Sequence, residues 1–255
     1  MILAAAIFAS LLSPYPPDRI DPEAFGPEAP GFSHPFGTDG YGRDTFSRAL
    51  HGARVSLLVG FSAVALYILI GTLVGLVSGF MGGITDHALM RIVDFVLCLP
   101  VLFLILILQT LFQPGLTNVV LVIGLTSWAP TARIVRAQVL SLKESLFVEA
   151  ARALGGGSLR IMFRHLLPNT LGPVIVTATL GIGGAILTES LLSFLGLGVQ
   201  PPHASWGSML KDAREYLRDA PWLAFFPGAL ITATVLAFNL VGDGLRDLLD
   251  PKRSA

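Results

Sequence analysis

Few of the side chains able to do chemistry in this sequence stand where chemistry could use them. The five histidines, at 34, 51, 87, 165 and 203, include no pair at a metal-motif spacing, so no metal site is expected. The single cysteine, Cys98, lies in an apolar run. Without a second thiol there is no disulfide or cysteine cluster within the chain, and the residue is expected to act as a buried small hydrophobe. A phosphate-binding loop needs Gly-Lys-[Ser/Thr] after a glycine-rich turn. The only lysines, Lys143, Lys211 and Lys252, follow Leu, Leu and Pro, which excludes ATP hydrolysis by that route. No clustered acid–base set suggests an embedded enzyme, and no residue is assigned a catalytic role.

Two carboxylates stand in or beside apolar runs, where an ionisable group is costly and is a functional candidate by default. Asp94 is three residues from Arg91, on the same helix face, and a local ion pair is expected. Glu189 lies about 20 residues into the otherwise uncharged run Thr170–Val199, which at helical rise places it near an outer boundary. It is a possible pathway residue, or a partner for a neighbouring helix or for the Ser190/Ser193 face. The densest cationic cluster is elsewhere, between Arg133 and Arg164, in a segment broken by Gly155-Gly156-Gly157.

The elements that must carry these residues are membrane spans. Hydrophobic residues make up 53% of the 255 and charged residues 13%, against about 25% charged in an average soluble domain. Mean hydropathy is +0.71. Formal net charge is zero, so no nucleic-acid partner is implied. A span needs about 20 apolar residues. Val55–Phe80, Phe95–Phe112, Leu116–Ala132, Thr170–Val199 and Ala220–Gly242 supply five. Ile2–Ser13 is too short, and reads as the outer part of a first span whose beginning is missing. The expected fold is therefore all-α, a polytopic membrane helical bundle of five complete spans plus a short or truncated first one. Its parts are 1–54, a partial first span and extracytoplasmic segment; 55–242, the core domain, with a cytoplasmic loop at 139–168; and 243–255, a cytoplasmic tail.

Orientation follows from lysine and arginine. With an inside N-terminus, ten of them fall inside and seven outside, counting Arg91 to Arg164, Arg246, Lys252 and Arg253 against Arg19 to Arg54 and Lys211 to Arg218. The 139–168 loop is then cytoplasmic. The outer segment 14–54 is proline-rich, with Pro14, Pro16, Pro17, Pro22, Pro27 and Pro30, and then reads Gly-Thr-Asp-Gly-Tyr-Gly-Arg-Asp. Arg43–Arg54 is expected as a short amphipathic helix.

Packing between spans relies on small residues, because lipid tails supply no hydrophobic drive. Gly71, Gly75 and Gly79 form one stripe, facing either another span or a partner subunit; Gly181, Gly183 and Gly184 are expected to act similarly. Pro100, Pro130, Pro173 and Pro227 predict kinks. In the loop, Ser145–Leu154 reads as a helix with Leu146, Ala150 and Leu154 on one side and Glu149 and Arg152 on the other. The three glycines interrupt it. Ser158 is an N-cap candidate for a second short helix. Leu159, Met162, Phe163 and Leu166 form its apolar stripe, and Pro168-Asn169 is expected to end it. The pair reads equally as a lever against a partner or as an interfacial helix held to membrane lipid.

The loop also carries a resemblance. Glu149-Ala150-Ala151-x-x-x-Gly155, nine residues, then His165-x-Leu167-Pro168 resembles the EAA motif of ABC-importer permeases, with His165 where the general pattern has Ile. Gly37-Thr38-Asp39-x-x-Gly42-Arg43-Asp44, the stretch Ser193 to Pro202, Trp206-Gly207-x-Met209-Leu210, and the ending Phe238 to Pro251 are similar to the dipeptide/oligopeptide/nickel branch, and to its C-type subunit.

That resemblance implies a type I ABC importer transmembrane domain. It implies four partners: a homologous second permease subunit, two ATP-binding subunits, and an extracytoplasmic solute-binding protein. ATP would be used by the partners, with no cofactor bound directly. Glu149, Ala150, Ala151, Arg152, Gly155, Leu167 and Pro168 would make the ATPase-coupling surface. The implied cargo is a di- or oligopeptide. The alternatives are nickel, glutathione or another small solute on the same architecture, or a self-sufficient ion-coupled carrier. Carriers usually show internal repeats and midplane charges, and no repeat is evident.

Overall fold

The structure is a computed structural model, describing residues 2–21 and 26–249. Its regular elements are helical, which matches the expected all-α class. Two short helices, α1 (Ile2–Ile7) and α2 (Ala9–Leu12), stand where a partial first span was expected. Then follow α3 (Thr45–Met81), α4 (Gly83–Cys98), α5 (Val101–Leu111), α6 (Leu116–Thr126) and α7 (Ala129–Leu142). After α8 (Leu146–Ala153) and α9 (Ser158–Ile161), a π turn at Met162–Leu166 leads into α10 (Leu167–Phe194). The last are α11 (Trp206–Ala213), a 3-10 turn at Arg214–Tyr216, and α12 (Trp222–Leu249).

Three continuous helices are long and apolar enough to cross a membrane: Thr45–Met81, Ser158–Phe194 and Trp222–Leu249. Two bent pairs bring the number to as many as five, if each pair is one span. The pair α4 and α5 bends by 89° at Leu99-Pro100, and α6 and α7 by 42° around Ser127-Trp128. Proline explains both places: Pro100 opens the new helix, and Pro130 lies in the first turn of α7, where its missing N–H has no partner to lose.

Several boundaries differ from the sequence expectation. The separate amphipathic helix at Arg43–Arg54 is absorbed into α3, which runs unbroken for 37 residues. No proline stands in residues 45–55, and the one glycine there, Gly52, sits inside the helix without ending it, so the polar start simply continues. Helix α12 continues to Leu249 through the start of the expected tail; residues 250–255, including Asp250, Pro251, Lys252 and Arg253, lie outside the described residues, as does Pro22. Pro168 does not end a helix. The π turn just before it, in which the Leu167 N–H bonds to the Met162 carbonyl, widens the backbone and relieves the proline clash.

Cys98 is exposed rather than buried. It ends α4 at the sharp bend, beside exposed Phe95 and Leu99. An apolar residue of a membrane helix needs no protein core when lipid can solvate it.

The chain forms two compact units. The first holds residues up to Ser62, Leu108–Leu121 and Ile182–Phe238; the second holds Ala63–Ile107, Val122–Gly181 and the chain from Asn239. In the second unit the glycine stripe faces α7. A Cβ on Gly75 would lie 2.5 Å from the Ala132 carbonyl oxygen and 2.8 Å from Val135. On Gly79 it would lie 2.9 Å from Val139, and on Gly71 2.6 Å from Thr131. The α3–α7 seam thus closes backbone to backbone, which only glycine permits. Gly181 likewise meets Tyr67, whereas Gly184 faces open space.

An ion pair locks the same seam. Asp86 on α4 accepts two hydrogen bonds from the Arg136 guanidinium on α7, both at 2.6 Å, and a third from Ser78 of α3. A bidentate charge-assisted pair fixes orientation as well as distance. Asp94 is taken by Arg133 at 2.5 Å, not by Arg91. Arg133, across the helix pair on α7, donates through a single guanidinium nitrogen.

Candidate functional site

The segment between α7 and α10 departs furthest from a simple bundle. Helix α8 is rooted by one side chain. Val148 is 0% exposed and packs with Leu76, Val135, Val139, Ile161, Met162, Leu166 and Val174. Ala151 and Leu167 pack against the same cluster from its edge. Seven of the eight α8 residues are therefore not fully buried.

The end of α8 is a Schellman cap. Gly156 N–H donates to the Ala151 carbonyl and Gly155 N–H to the Arg152 carbonyl, both at 2.9 Å. Gly155 has φ +79°, the left-handed conformation this cap needs and an L side chain resists. A Cβ there would meet nothing within 4 Å, so the requirement is conformational and not one of space. Gly157, not Ser158, occupies the cap position of α9, and accepts from the Ile161 N–H at 3.0 Å. Glycine with an extended backbone serves there as well as serine would.

The face turned outward is apolar at both ends and charged in the middle. Leu146 is 83% and Leu154 88% exposed, with Glu149, Ala150 and Arg152 also exposed between them. Leu159 and Phe163 extend the apolar surface beyond the glycines. The expected stripe of the second helix holds in half: Met162 and Leu166 face the core, joined by Ile161, and Leu159 and Phe163 do not. The π turn rotates the register, which a count at 3.6 residues per turn cannot anticipate. The Arg152 guanidinium lies 6.0 Å over the Phe80 ring of α3. Pro168 is exposed at the start of α10, and the His165 carbonyl accepts from Asn169. Of the expected residues, Glu149, Ala150, Arg152 and Gly155 share the exposed α8 side, whereas Ala151 and Leu167 turn inward.

Glu189 lies in the other unit and is 0% exposed. Ser193 donates to its carboxylate at 2.7 Å, Ser56 of α3 at 3.1 Å and Ser190 at 3.4 Å. Ser56 also accepts from the Trp206 N–H, and Ser205 caps α11 while lying 3.4 Å from Ser193. The carboxylate thereby ties α3, α10 and the start of α11 together. Serine at 190 and 193 was visible beside it in sequence; Ser56, some 130 positions away, was not.

Residues 71–255 match the family described as binding-protein-dependent transport system inner membrane component. The chain belongs to that family. It is a permease subunit of an ABC importer, of the C type, and a multi-pass bacterial inner-membrane protein. Over 217 residues, 85% of this chain and 71% of the relative, it is 47% identical to the dipeptide transport system permease protein DppC of Alkalihalophilus pseudofirmus. It is 46% identical to the oligopeptide transport system permease protein OppC of Bacillus subtilis over the same shares. To the di/tripeptide transport system permease protein DppC of Pseudomonas aeruginosa it is 43% identical, covering 99% of this chain and 85% of the relative. Its fold resembles a chain in the inward-facing MetNI methionine ABC transporter, with a TM-score of 0.62 at 17% identity, covering 78% of this chain and 94% of that one.

Proposed function

We propose that this permease forms half of the translocation path of a di- or oligopeptide importer and receives its driving stroke through the loop at 139–168. Three relatives at 43–47% identity carry peptide transport in their names, which supports the cargo class. The remaining components are a homologous second permease, two ATP-binding subunits and an extracytoplasmic solute-binding protein.

One observation carries the coupling role. Helix α8 presents Leu146 and Leu154 outward from a single buried root, Val148. Exposed leucines around Glu149 and Arg152 suit a cleft on a partner protein, with an apolar anchor at each end and charge between. In this reading Glu149, Ala150, Arg152 and Gly155 meet the ATPase. Ala151, Leu167 and Pro168 join the helix to the spans, so that a push on α8 reaches α7 and α10. Residues 55–242 act as the transport domain.

The test is reconstitution in proteoliposomes of this chain alone and with its partners. ATP-dependent uptake of dipeptides by the full set is expected, and none by the chain alone. Uptake by the lone chain without ATP would overturn the reading; uptake of nickel or glutathione in place of peptides would overturn only the cargo. Within the full set, Gly155→Asp should insert normally and lose at least tenfold in uptake. Gly155→Asn meets the same left-handed conformation without the charge and should lose less, so the difference between the two variants reads the charge on the docking surface. Unchanged uptake in that variant would count against the coupling role.

A further inference from the structure

The first unit contains a cleft that the transport reading leaves without a task. It measures about 250 Å³ and lies between the Gly-Thr-Asp-Gly-Tyr-Gly-Arg-Asp loop, the chain after α10, and α11. All three fall on the side that the charge bias assigns to the exterior. Its charged lining is Arg43, Arg48, Lys211 and Asp212. Three cations therefore face one carboxylate.

Arg43 is held by Asp39 at 2.8 Å and lies 4.6 Å over the Tyr41 ring, but Arg48 is poorly satisfied. Arg48 has a side chain only 5% exposed, yet its contacts are 3.4 Å to Asp39, 3.5 Å to the Pro17 carbonyl and 3.6 Å to Asp212. Good N–H···O bonds measure about 2.7–3.2 Å. A guanidinium taken out of water normally holds its partners closer. Asp39, behind the cleft, is already committed: its Oδ1 accepts from the Tyr41 and Arg43 N–H groups at 2.9 and 3.0 Å, and its Oδ2 from Arg43 Nε at 2.8 Å. Asp212 offers one oxygen to both arginines, at 3.4 and 3.6 Å. Burial pushes its carboxyl above the usual range against the pull of Arg48 and Arg43. Asp18 acts on Arg48 only at longer range. Lys211 is exposed and makes no ion pair among the described residues.

The group that this arrangement lacks is a carboxylate. A carboxylate entering the cleft would meet a planar fork from Arg48 or Arg43 and a point charge from Lys211. Val199, Pro201 and Pro202 supply an apolar wall beside it. The volume is below the roughly 300 Å³ at which pockets enclose a whole drug-sized ligand, so the cleft takes a small molecule or the end of a longer one. We propose that this cleft binds the C-terminal carboxylate of the transported peptide on the extracytoplasmic side of the permease. The proposal rests on the peptide reading, and it names a specificity contact outside the solute-binding protein.

The experiment uses the complete permease–ATPase complex in lipid nanodiscs without the solute-binding protein. Saturation-transfer NMR reads binding of alanyl-alanine. The expected result is saturable binding, competed by N-acetyl-alanyl-alanine, which keeps the carboxylate, and not by alanyl-alaninamide, which lacks it. Lys211→Gln, at an exposed position with no recorded ion pair, should weaken binding about three- to fivefold, the scale of a partly exposed ion pair, and Lys211→Glu should weaken it further. Equal competition by the amide, or unchanged binding in both variants, overturns the proposal. So does weakened docking of the peptide-free solute-binding protein to Lys211→Gln with no alanyl-alanine binding to the wild type, since the carboxylate would then come from that partner. A parallel uptake assay separates the two readings. Peptide uptake without binding at the cleft sinks the subsite alone, whereas no uptake of any peptide by the wild-type importer sinks both.

Discussion

Two charged regions of this permease lie outside the long apolar runs, and they treat their charges in opposite ways. Around α11 and the start of α3, ionic groups go inside. His34 pairs with Asp44 at 2.8 Å, Arg43 with Asp39 at 2.8 Å, and Arg48 is buried with them. Around α8 and α9, Glu149, Arg152, Arg160 and Arg164 stay exposed, and large apolar side chains stay exposed beside them. Apart from Arg48 and Lys211 at the cleft, the first region uses its polar chemistry to hold itself together. The second is held by Val148 and a glycine cap and keeps its outward chemistry unspent. A surface with exposed leucines, few internal bonds and a rigid root is built for a partner; a surface of buried pairs is built to keep its shape.

The contrast predicts unequal responses to substitution. The largest is expected for Asp39→Ala. It removes the carboxylate that Arg43 holds closely and that Arg48 shares, leaving buried guanidinium charge uncompensated. Breaking one partner from such a pair costs about 3 kcal/mol or more. The purified complex should melt at a clearly lower temperature. A melting point equal to wild type would mean that this region is not the rigid one.

Next in size is Gly75→Val, at the seam on which α8 hangs. Its first side-chain atom would sit 2.5 Å from the Ala132 carbonyl oxygen, and α3 and α7 would have to separate. Overpacking of this kind costs about 1–3 kcal/mol. A disulfide trap between cysteines introduced at Leu76 and Val135, which pack in the same cluster, should close more slowly in the valine variant. An unaltered rate would show that the seam has slack.

The two regions also differed in how far they could be read from sequence. The loop was legible because its information is local. The helix–glycine–helix order, the break at Gly155 and the glycine stripe at 71, 75 and 79 all follow from spacing within a few turns. What the stripe faced was not local, and the choice of α7 over a partner subunit needed coordinates. Leu159 and Phe163 were misplaced, while Met162 and Leu166 were not, because a π turn inserts an extra residue that no periodicity carries. The outer region was nearly opaque. Asp39, Arg48 and Asp212 are ordinary charges in sequence, and their cluster joins positions more than 160 residues apart. Asp86 and Arg136 were hidden in the same way: Arg136 counted only as a topology charge, and nothing local marked Asp86, until α4 and α7 brought them together.

The smallest effect on stability, and the most informative for the contrast, is expected for Leu154→Ser. Leu154 is 88% exposed, so its truncation removes almost no buried contact. It follows Ala153 as the last residue before the Gly155 cap, and its N–H already bonds to the Ala150 carbonyl at 3.0 Å, a bond that serine keeps. The melting temperature should therefore stay within a degree or so of wild type, as surface substitutions away from special features usually change stability by less than about 0.5 kcal/mol. Binding is another matter. A leucine buried fully on docking is worth about 1.5–3 kcal/mol of apolar transfer, or roughly ten- to a hundredfold in an association constant. Co-purification of the ATP-binding subunits with the variant should fall accordingly under wash conditions that retain them on wild type. A loss of stability without a loss of ATPase association would reverse the assignment, making Leu154 a structural residue and α8 part of the frame. Loss of association with an unchanged melting point is the outcome that only a docking surface produces.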